Sequence, residues 1–530
     1  MVNELTELLK SKIGLFYLVS YEEERVEDTF EKICLQLDFG LYTWDLNKGF
    51  SEVRSDKHKA NLSGEDDNMP DEALIKIQKY SGDAIFIMKD FHRFIDPEKF
   101  SEAPKMIRTL RNFLKEFRLS EKNKCIVILA PVKRIPEDLE HDIYVVDFEL
   151  PDYLALRKKI TEFIAHNRLE KKVKLSEEAA EKMIKSLQGL TTIQAERALA
   201  KVFVKYGKLQ DHHINELLSE KKQLLSKTGF LEYIDVKEKM DDVGGLHQMK
   251  KWLLQREVAF SEKAKQYGLP TPKGILLVGV QGVGKSLTAK AVAATWNLPL
   301  IRLDVGSVFG SLVGESEERI KQAIKISEAI SPCIFWIDEI DKAFAGIKGE
   351  QGDSGTSSRV FGSLLTWMQE KTKPVFIVAT ANNVVRIRQL EQNNKKKYIF
   401  DAILPPELLR KGRFDELFFL DLPSEKERKE IFKIMTTKYK LGSNFNYDLL
   451  ASKSGGTVSE KNDKGFGGAE IEQIIIESMY KAFYDKERHV TDDDILYCMN
   501  QTKSLYELMQ DDIDGLRNWA DGRTRPASNN

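Results

Sequence analysis

The chain has 530 residues, which is too long for one ordinary domain and predicts two or three. Lys and Arg number 81 against 83 Asp and Glu, a formal net charge of −2, so the chain as a whole has no attraction for nucleic acid or anionic membranes. No apolar run reaches the length of a membrane span, and the first ten residues alternate charge with leucine instead of forming a signal peptide. The four cysteines lie far apart without CxxC spacing, which is typical of small core residues in a reducing compartment.

The first half alternates short apolar runs with helical patterns. Residues 14–19, 84–88 and 125–129 are predicted to be buried strands, and residues 23–37 a helix. This alternation favours a parallel sheet with helices on both faces. The acidic, turn-rich stretch 63–71 is predicted to be a surface loop.

The second half repeats the alternation with stronger strands and then becomes purely helical after Pro423. Its five predicted strands cover residues 275–278, 300–304, 333–337, 375–379 and 417–420. The predicted organisation is an α/β domain over 1–205, a helical connector over 206–240, an α/β subdomain over 241–423, a helical lid over 424–505 and a C-terminal tail over 506–530. The connector is expected to be charged and without strands from residue 212 to residue 240, and the tail to be poorly ordered from residue 514 onward.

A repeated pattern links the two halves. A Pro-Glu-Asp-Leu motif at 136–139 is followed by a strand and then by residues 147–151, which end in Pro151. In the same way, Pro-Glu-Leu-Leu at 406–409 is followed by a strand and then by residues 420–423, which end in Pro423. A charged helix follows each proline. Ala-Glu pairs stand at similar distances beyond the two prolines, at 195–196 and 469–470. The spacing favours duplication of one α/β-plus-lid unit, and chance similarity between two α/β domains is the alternative.

Residues 279–286 match the phosphate-loop pattern G-x-x-x-x-G-K-[ST], after a predicted strand and before a predicted helix. Glycines let backbone N–H groups surround phosphates, Lys285 supplies a cation, and the Ser286 hydroxyl can ligate Mg²⁺. The alternative is a structural Gly-rich turn. The predicted nucleotide-binding residues are Gly279, Gly282, Val283, Gly284, Lys285, Ser286, Leu287 and Asp338, with Ser286 and Asp338 as magnesium ligands.

Two further strand ends carry polar residues. The apolar run 333–337 ends in Asp338, predicted to hold the magnesium shell, and Glu339, predicted to polarise the attacking water. Asn382 ends another strand, where its amide could hydrogen-bond that water or the γ-phosphate. An ordinary turn asparagine is the alternative for Asn382.

Four motifs, at 241–245, 272–277, 314–317 and 410–415, resemble the AAA ATPases proper of the AAA+ superfamily. In that family the arginines of R-x-G-R-F-D reach the ATP of a neighbouring subunit, so the resemblance implies that Arg410 and Arg413 are arginine fingers; a solvated basic turn is the alternative. The resemblance also implies an AAA+ fold with ATP and Mg²⁺ as cofactors, a homo-oligomeric ring, expected to be a hexamer, and a protein client.

The chain is still more similar to a Ycf-type family, the forty-sixth hypothetical chloroplast reading frame of algal plastids and cyanobacteria. The residues that carry this likeness are 20–25, 359–362, 365–371, 378–383 and 522–526. The resemblance implies a soluble ATPase of the cyanobacterial cytoplasm or plastid stroma, with a role in regulating photosynthesis or carbon use.

The first half departs from this chemistry. Residues 20–25 follow its first strand, where a phosphate loop would lie, and offer acids and bulky side chains in place of glycines and lysine. Lys89-Asp90 keeps one carboxylate at the strand end expected to match Asp338. We predict a degenerate AAA-like domain that serves structure or partner binding.

Other segments carry weaker signals. Leu312-Val313 stand where threading members of the family carry an aromatic pore residue, so threading is in question and a plain apolar loop is the alternative. The insertion at 383–405 contains three lysines, at 395–397, predicted to be solvated unless they contact a partner. His212-His213 lack companions at metal-ligand spacing, and no HExxH motif indicates a fused protease.

These observations favour an ATP-driven remodeller of protein complexes that works as a ring. A nucleotide-dependent switch or scaffold, with slow hydrolysis and no threading, is the second hypothesis. A nucleic-acid motor is the third, and the sequence lacks the basic stripe or stacking motif that it would need.

Overall fold

The computed structural model of the chain describes residues 2–54, 68–236, 238–260, 262–309, 315–342, 354–392, 395–410, 412–442, 444–455 and 465–528. The chain divides into two compact units. The first consists of residues 1–173 and 190–209, and the second of residues 174–189 and 210–530.

Helices and strands alternate through most of both units. The helices are α1 (Val2–Lys10), α2 (Glu23–Leu37), α3 (Pro70–Lys79), α4 (Ala103–Leu119), α5 (Tyr153–His166), α6 (Glu177–Leu187), α7 (Thr192–Tyr206), α8 (Ile214–Ser226), α9 (His247–Glu257), α10 (Glu262–Tyr267), α11 (Lys285–Thr295), α12 (Val305–Phe309), α13 (Glu315–Ile330), α14 (Ser354–Glu370), α15 (Pro406–Leu409), α16 (Glu425–Lys438), α17 (Tyr447–Lys453), α18 (Gly468–Tyr484), α19 (Asp492–Gln501), α20 (Leu505–Leu508) and α21 (Gln510–Ala520). The strands are β1 (Leu15–Val19), β2 (Gly40–Asp45), β3 (Gly49–Arg54), β4 (Ala84–Lys89), β5 (Lys124–Ala130), β6 (Tyr144–Asp147), β7 (Val173–Lys174), β8 (Leu209–Gln210), β9 (Leu231–Ile234), β10 (Gly274–Gly279), β11 (Leu300–Leu303), β12 (Cys333–Ile337), β13 (Val375–Ala381), β14 (Val385–Gln392), β15 (Lys395–Ala402), β16 (Glu416–Leu420) and β17 (Arg525–Pro526).

The first unit is built on a six-stranded sheet in the order β3-β2-β4-β5-β1-β6. Its pairs are parallel except for the β2-β3 hairpin. Successive side chains of a strand point to opposite faces, so Leu15 and Tyr17 of β1 join one buried cluster while Phe16 and Leu18 join another. The sheet is therefore covered on both faces, as its apolar strands predict.

The second unit contains a seven-stranded sheet in the order β17-β16-β10-β13-β12-β11-β9. The five strands predicted for this half are all present as β10, β11, β12, β13 and β16. Ranked along the chain, these five lie in the order 5-1-4-3-2, and so do β6, β1, β5, β4 and β2 of the first unit. The predicted fold class, a parallel P-loop sheet with a helical lid preceded by an AAA-like α/β domain, is confirmed, and the shared strand order supports duplication.

The predicted connector contains strand β9, so the expectation that residues 212–240 lack strands is wrong. In particular, β9 pairs antiparallel with β11 at the edge of the second sheet, from Leu231 opposite Leu303 to Ile234 opposite Leu300. A strand of four residues gains its stability from pairing with a neighbour, and that neighbour lies far along the chain. Local periodicity therefore carried no signal for it.

The lid consists of α16 to α19, packed around a core that includes Phe432, Leu450, Ile471 and Ile495. Beyond it, the expectation that residues 514–530 are poorly ordered is wrong through Ser528. The tail forms α20, α21 and β17, and its β17 pairs in parallel with β16 at the sheet edge. The apolar side chains of α21 that make this possible include Ile513, Leu516 and Trp519, all of which are buried.

Three predictions fall wholly or partly on residues outside the description. Leu312-Val313 and residues 63–67 of the predicted acidic loop lie there, whereas Pro70 and Asp71 already belong to α3. Residues 393–394 of the insertion at 383–405 also lie outside the described residues, and on either side of them the insertion forms an antiparallel hairpin, β14-β15, in which Val385 is paired with Ala402. Within the described residues, no helix is both long and apolar enough to cross a bilayer.

Candidate nucleotide-binding site

A cavity of about 920 Å³ lies in the second unit, where the carboxyl ends of parallel strands meet the lid. Residues 281–287 line it from the sheet side, and residues of α16 and α18 line it from the lid side. This volume is within the range of small-molecule sites, and strand ends of α/β sheets are their usual position.

The phosphate-loop pattern forms a tight backbone turn between β10 and α11. Gly279 runs so close to the neighbouring strand that a Cβ there would lie 2.1 Å from the Leu420 carbonyl oxygen. Gly284 precedes α11 with φ +91°, in the left-handed region that favours glycine. The lid contacts this turn, because the Ala469 N–H donates to the Gly282 carbonyl at 3.1 Å.

Lys285 is the first residue of α11, and its side chain is only 7% exposed. Its ammonium donates to the carbonyls of Gly279 and Val280 at 2.7 and 2.6 Å. Burial lowers the pKa of Lys285 to about 8, an effect that the nearby Asp341 and Asp338 only partly oppose. A buried cation whose bonds all go to its own loop is poised to accept a stronger anionic partner.

Asp338 follows β12 and shares an oxygen with two hydroxyls. Its Oδ1 accepts from Thr380 at 2.6 Å and from Ser286 at 3.3 Å. Ser286 and Asp338, predicted as magnesium ligands, are therefore neighbours. Thr380, which the sequence analysis missed, also accepts from the Glu339 N–H at 2.9 Å. The sequence offered one sign of this role, which was the place of Thr380 near the end of β13, the strand directly before Asn382.

Glu339 has φ +50°, which turns its side chain away from the course of the strand. The Asn382 amide donates to Glu339 Oε1 at 3.1 Å, and Lys342 pairs with Oε2 at 2.5 Å. The geometry thus brings together Glu339 and Asn382, the predicted base and amide.

Asp341 is a second residue that the sequence analysis missed. It is 5% exposed, and its carboxylate accepts the N–H groups of Asn382 and Asn383 at 3.3 and 3.0 Å. Burial raises the pKa of Asp341, although those two N–H bonds oppose the rise. Its contacts hold the turn that presents Asn382. An acid three positions after Asp338 was the available signal.

Arg410 and Arg413 are not among the described residues that line the cavity. Asp415, in the same motif, accepts the N–H of Gly274 at 3.0 Å and donates its own N–H to the Gly274 carbonyl at 2.8 Å. Gly274 begins β10 and Gly279 ends it, so the motif lies at the end of the strands opposite the phosphate loop, roughly 16 Å away at about 3.3 Å per residue. Arg413 donates to a carbonyl of α15, while its buried Nε has no hydrogen-bond partner among the described residues.

The residues at the cavity fit a nucleoside triphosphate with Mg²⁺. Backbone N–H groups at the start of α11 and the Lys285 ammonium form an anion cradle. Ser286 and Asp338 offer the hard oxygen ligands that Mg²⁺ prefers. When bound, such a nucleotide supplies a hydrolysable phosphoanhydride bond.

The corresponding turn of the first unit is shorter. Val19 of β1 pairs with Ala130 of β5, and Val278 of β10 pairs with Ala381 of β13. Val19 and Val278 therefore occupy equivalent positions in the two sheets. Helix α2 begins four positions after Val19, at residue 23, whereas α11 begins seven positions after Val278, at residue 285. The first unit therefore lacks three residues that a phosphate loop needs.

An acid occupies this shorter turn. Glu22 is 3% exposed, and its carboxylate accepts the Thr192 N–H at 2.6 Å together with the Thr192 hydroxyl. Arg25 pairs with the other carboxylate oxygen at 2.8 Å. The Glu22 carboxylate thus accepts the N–H of the first residue of helix α7.

The register also corrects one expectation about the first unit. Lys89 ends β4 at the position of Asp338, and Asp90 matches Glu339 with a similar φ of +55°. The retained carboxylate is therefore the equivalent of the predicted base, and a lysine replaces the predicted magnesium ligand.

The sheet order, the phosphate loop and the paired carboxylates together define an AAA-type P-loop ATPase domain in the second unit. The family model of the ATPase family associated with various cellular activities (AAA) matches residues 275–422. Models of the N-terminal domain and the second domain of SpoVK-like AAA ATPases match residues 1–148 and 154–228.

Relatives match along the whole chain. It is 41% identical to an uncharacterized AAA domain-containing protein ycf46 of Trieres chinensis, over 99% of this chain and 98% of that one. It is 40% identical to a protein of the same name in Guillardia theta, over 99% and 96%. A proteasome-activating nucleotidase of Sulfurisphaera tokodaii is 32% identical over 50% of this chain and 62% of its own. The chain belongs to the ycf46 family of AAA domain-containing proteins, as its resemblance predicted.

Proposed function

We propose that the chain hydrolyses ATP between the subunits of a ring oligomer, expected to be a hexamer, and uses the cycle to remodel a protein partner. The position of Arg410 and Arg413 carries this proposal. Both lie near the end of the strands opposite their own phosphate loop, which supports a role outside the cavity of their own subunit. A heterologous contact between copies would bring them to a neighbour's cavity.

Within one subunit, Lys285 and the α11 N–H groups would hold the phosphates, and Ser286 and Asp338 would hold Mg²⁺. Glu339 would accept a proton from the attacking water at a carboxylate oxygen, with Asn382 fixing the direction of that carboxylate. The neighbour's arginine would then stabilise developing charge, a contribution of roughly 10³–10⁵ in rate for arginine fingers.

Mixing two inactive variants tests the shared site. Arg413→Ala keeps its own Glu339 but lends no finger, whereas Glu339→Gln lends its finger but lacks the base. In randomly mixed rings about one quarter of sites pair an intact Glu339 with an intact neighbouring Arg413. We expect phosphate release by an equal mixture to recover about a quarter of the parent rate per subunit, while each variant alone is near zero.

The control mixes Arg413→Ala chains with chains that carry both Arg413→Ala and Lys285→Ala, and Glu339→Gln chains with chains that carry both Glu339→Gln and Lys285→Ala. No intact site can form in either mixture. A mixture no more active than its components would show that Arg413 does not act in a neighbour's site. Flat activity per subunit across protein concentration, without an oligomer in ATP, would also contradict the ring.

Support for a protein client comes from the relative named as a proteasome-activating nucleotidase. The ycf46 relatives support a place in the plastid stroma or cyanobacterial cytoplasm. A role in regulating photosynthesis or carbon use is proposed from the family resemblance alone. Capture by Glu339→Gln chains in the native organism, with identification of the proteins retained, tests both statements. Retention of the same proteins by Lys285→Ala chains would contradict ATP-dependent capture.

A nucleotide-dependent switch or scaffold is the second candidate. The observation that favours it is the first unit, whose short turn and buried Glu22 leave it as a binding module without a phosphate loop. Equal capture of a partner in ADP, ATP and nucleotide-free states would contradict switching.

A further inference from the structure

Residues 525–528, which we call the strap, are built into the second unit. Arg525 and Pro526 pair with Phe418 and Phe419 of β16. The Ala527 N–H continues this pairing by donating to the Phe419 carbonyl at 3.0 Å, and the Ala527 side chain is 1% exposed. The strap is thus an added edge strand of the AAA sheet.

The strap also bonds to two helices that flank the cavity. The Ala527 carbonyl accepts the Met249 N–H in the first turn of α9 at 3.1 Å. The Ser528 hydroxyl donates to Glu427 Oε1 in α16, the first lid helix, at 2.5 Å. Upstream of the strap, Arg517 pairs with Asp421, because its Nε and its Nη2 both lie 2.9 Å from the carboxylate oxygens. The strap therefore connects the sheet, α9 and the lid.

Glu427 links the strap to the cavity wall through hydrogen bonds. The side chain is 5% exposed, and the oxygen that accepts from Ser528 also accepts the Leu246 N–H at 3.1 Å. Next to it, the Gly245 N–H donates to Glu430 Oε2 at 2.8 Å. A Cβ on Gly245 would lie 2.3 Å from Glu427 Oε1, which shows how closely this carboxylate holds the backbone.

The backbone held in this way is part of the cavity. Asp241, Asp242, Val243, Gly244 and Leu246 line one wall, and Ser528 itself lines the same cavity. None of these residues belongs to the set that surrounds Asp338 and Glu339. The wall formed by residues 241–246 is therefore held by the lid carboxylates Glu427 and Glu430, and Glu427 is held in turn by Ser424 in the lid and by Ser528 in the strap.

We propose that Ser528 is a positioning residue for nucleotide binding: through Glu427 it holds the 241–246 wall in place, so the strap sets how tightly nucleotide binds and not how fast it is hydrolysed. The inference rests on the proposed nucleotide site. Without the Ser528 hydroxyl, Glu427 loses a donor and the wall gains freedom. Nucleotide binding must then order this wall, which weakens apparent affinity without touching the reacting groups.

The test compares affinity and turnover in full-length variants. A fluorescent ATP analogue with Mg²⁺ is titrated into parent, Ser528→Ala, Ser528→Thr and Thr524→Ala chains, and phosphate release is measured at saturating ATP. Thr524 is the matched control. Its hydroxyl, just before the strap, donates to the Ala520 carbonyl at 3.0 Å, and Thr524 is not among the residues that line the cavity.

We expect Ser528→Ala to raise the Kd roughly 5–20-fold, which is less than the roughly 10–150-fold of a whole hydrogen bond to a charged group because the wall keeps its other bonds, with kcat within about twofold of parent. Ser528→Thr should restore affinity, and Thr524→Ala should match the parent. Parent-like affinity in Ser528→Ala would overturn the proposal, as would an equal loss in Thr524→Ala or a fall in kcat as large as the loss of affinity. If the parent binds no nucleotide, the proposed function fails as well; if the parent binds and only the mixing experiment fails, the strap proposal stands.

Discussion

The Thr380 hydroxyl joins the Asp338 carboxylate to the backbone of Glu339, the two acids that the proposed reaction needs. It donates to Asp338 Oδ1 at 2.6 Å and accepts the Glu339 N–H at 2.9 Å. Thr380 is 1% exposed, so water cannot readily take its place. Thr380→Val preserves the shape of the side chain and removes both bonds. A hydrogen bond to a charged group contributes about 1.5–3 kcal/mol, and an orphaned buried N–H costs about 1–3 kcal/mol.

Losing these two hydrogen bonds lowers the stability of the protein and also loosens the placement of Asp338 and Glu339. If about 1.4–2.7 kcal/mol of it appears in the activation barrier, hydrolysis at saturating ATP should fall roughly 10–100-fold. Phosphate release measures this, and Thr380→Ser, which keeps the hydroxyl, should recover most of the rate. Affinity for nucleotide should change much less, because Lys285 and the phosphate loop are untouched. A parent-like rate in Thr380→Val would refute the idea that this hydroxyl organises the two acids.

Three further outcomes are expected. Gly279→Ala should destabilise the second unit by about 1–3 kcal/mol and abolish nucleotide binding, because the added Cβ would lie 2.1 Å from a carbonyl oxygen of β16. Thermal melts measure the loss of stability. The control is Gly362→Ala, which has open space around it and should unfold no more easily than the parent. ATP affinity should decline as pH rises through about 8, since the nucleotide-free Lys285 loses its charge there, and constant affinity from pH 7 to 9.5 would contradict this. Glu22→Gln should destabilise the first unit by about 3 kcal/mol, because it leaves a largely buried guanidinium beside a neutral amide, without changing nucleotide affinity; unchanged hydrogen exchange around Thr192 would refute it.

Much of the candidate site was predictable because its parts are local. The loop 279–286 is contiguous, its glycines have short-range conformational roles, and strand and helix flank it directly. The apolar runs before Asp338 and Asn382 predicted strands that the structure contains. Whether those strand ends meet depends on the order of strands in the sheet, which periodicity does not reveal.

The sequence by itself determined the two-part α/β plan, the phosphate loop and the residue types of the site, because each follows from neighbours along the chain. Tertiary structure decided which of them meet. Thr380 reaches Asp338 across 42 residues, and Glu427 reaches Leu246 across 181. It also built the strap into the sheet, where the sequence predicted a poorly ordered tail. Hydrogen bonds of this kind are set by strand order and burial, so they exist only once distant segments have packed together.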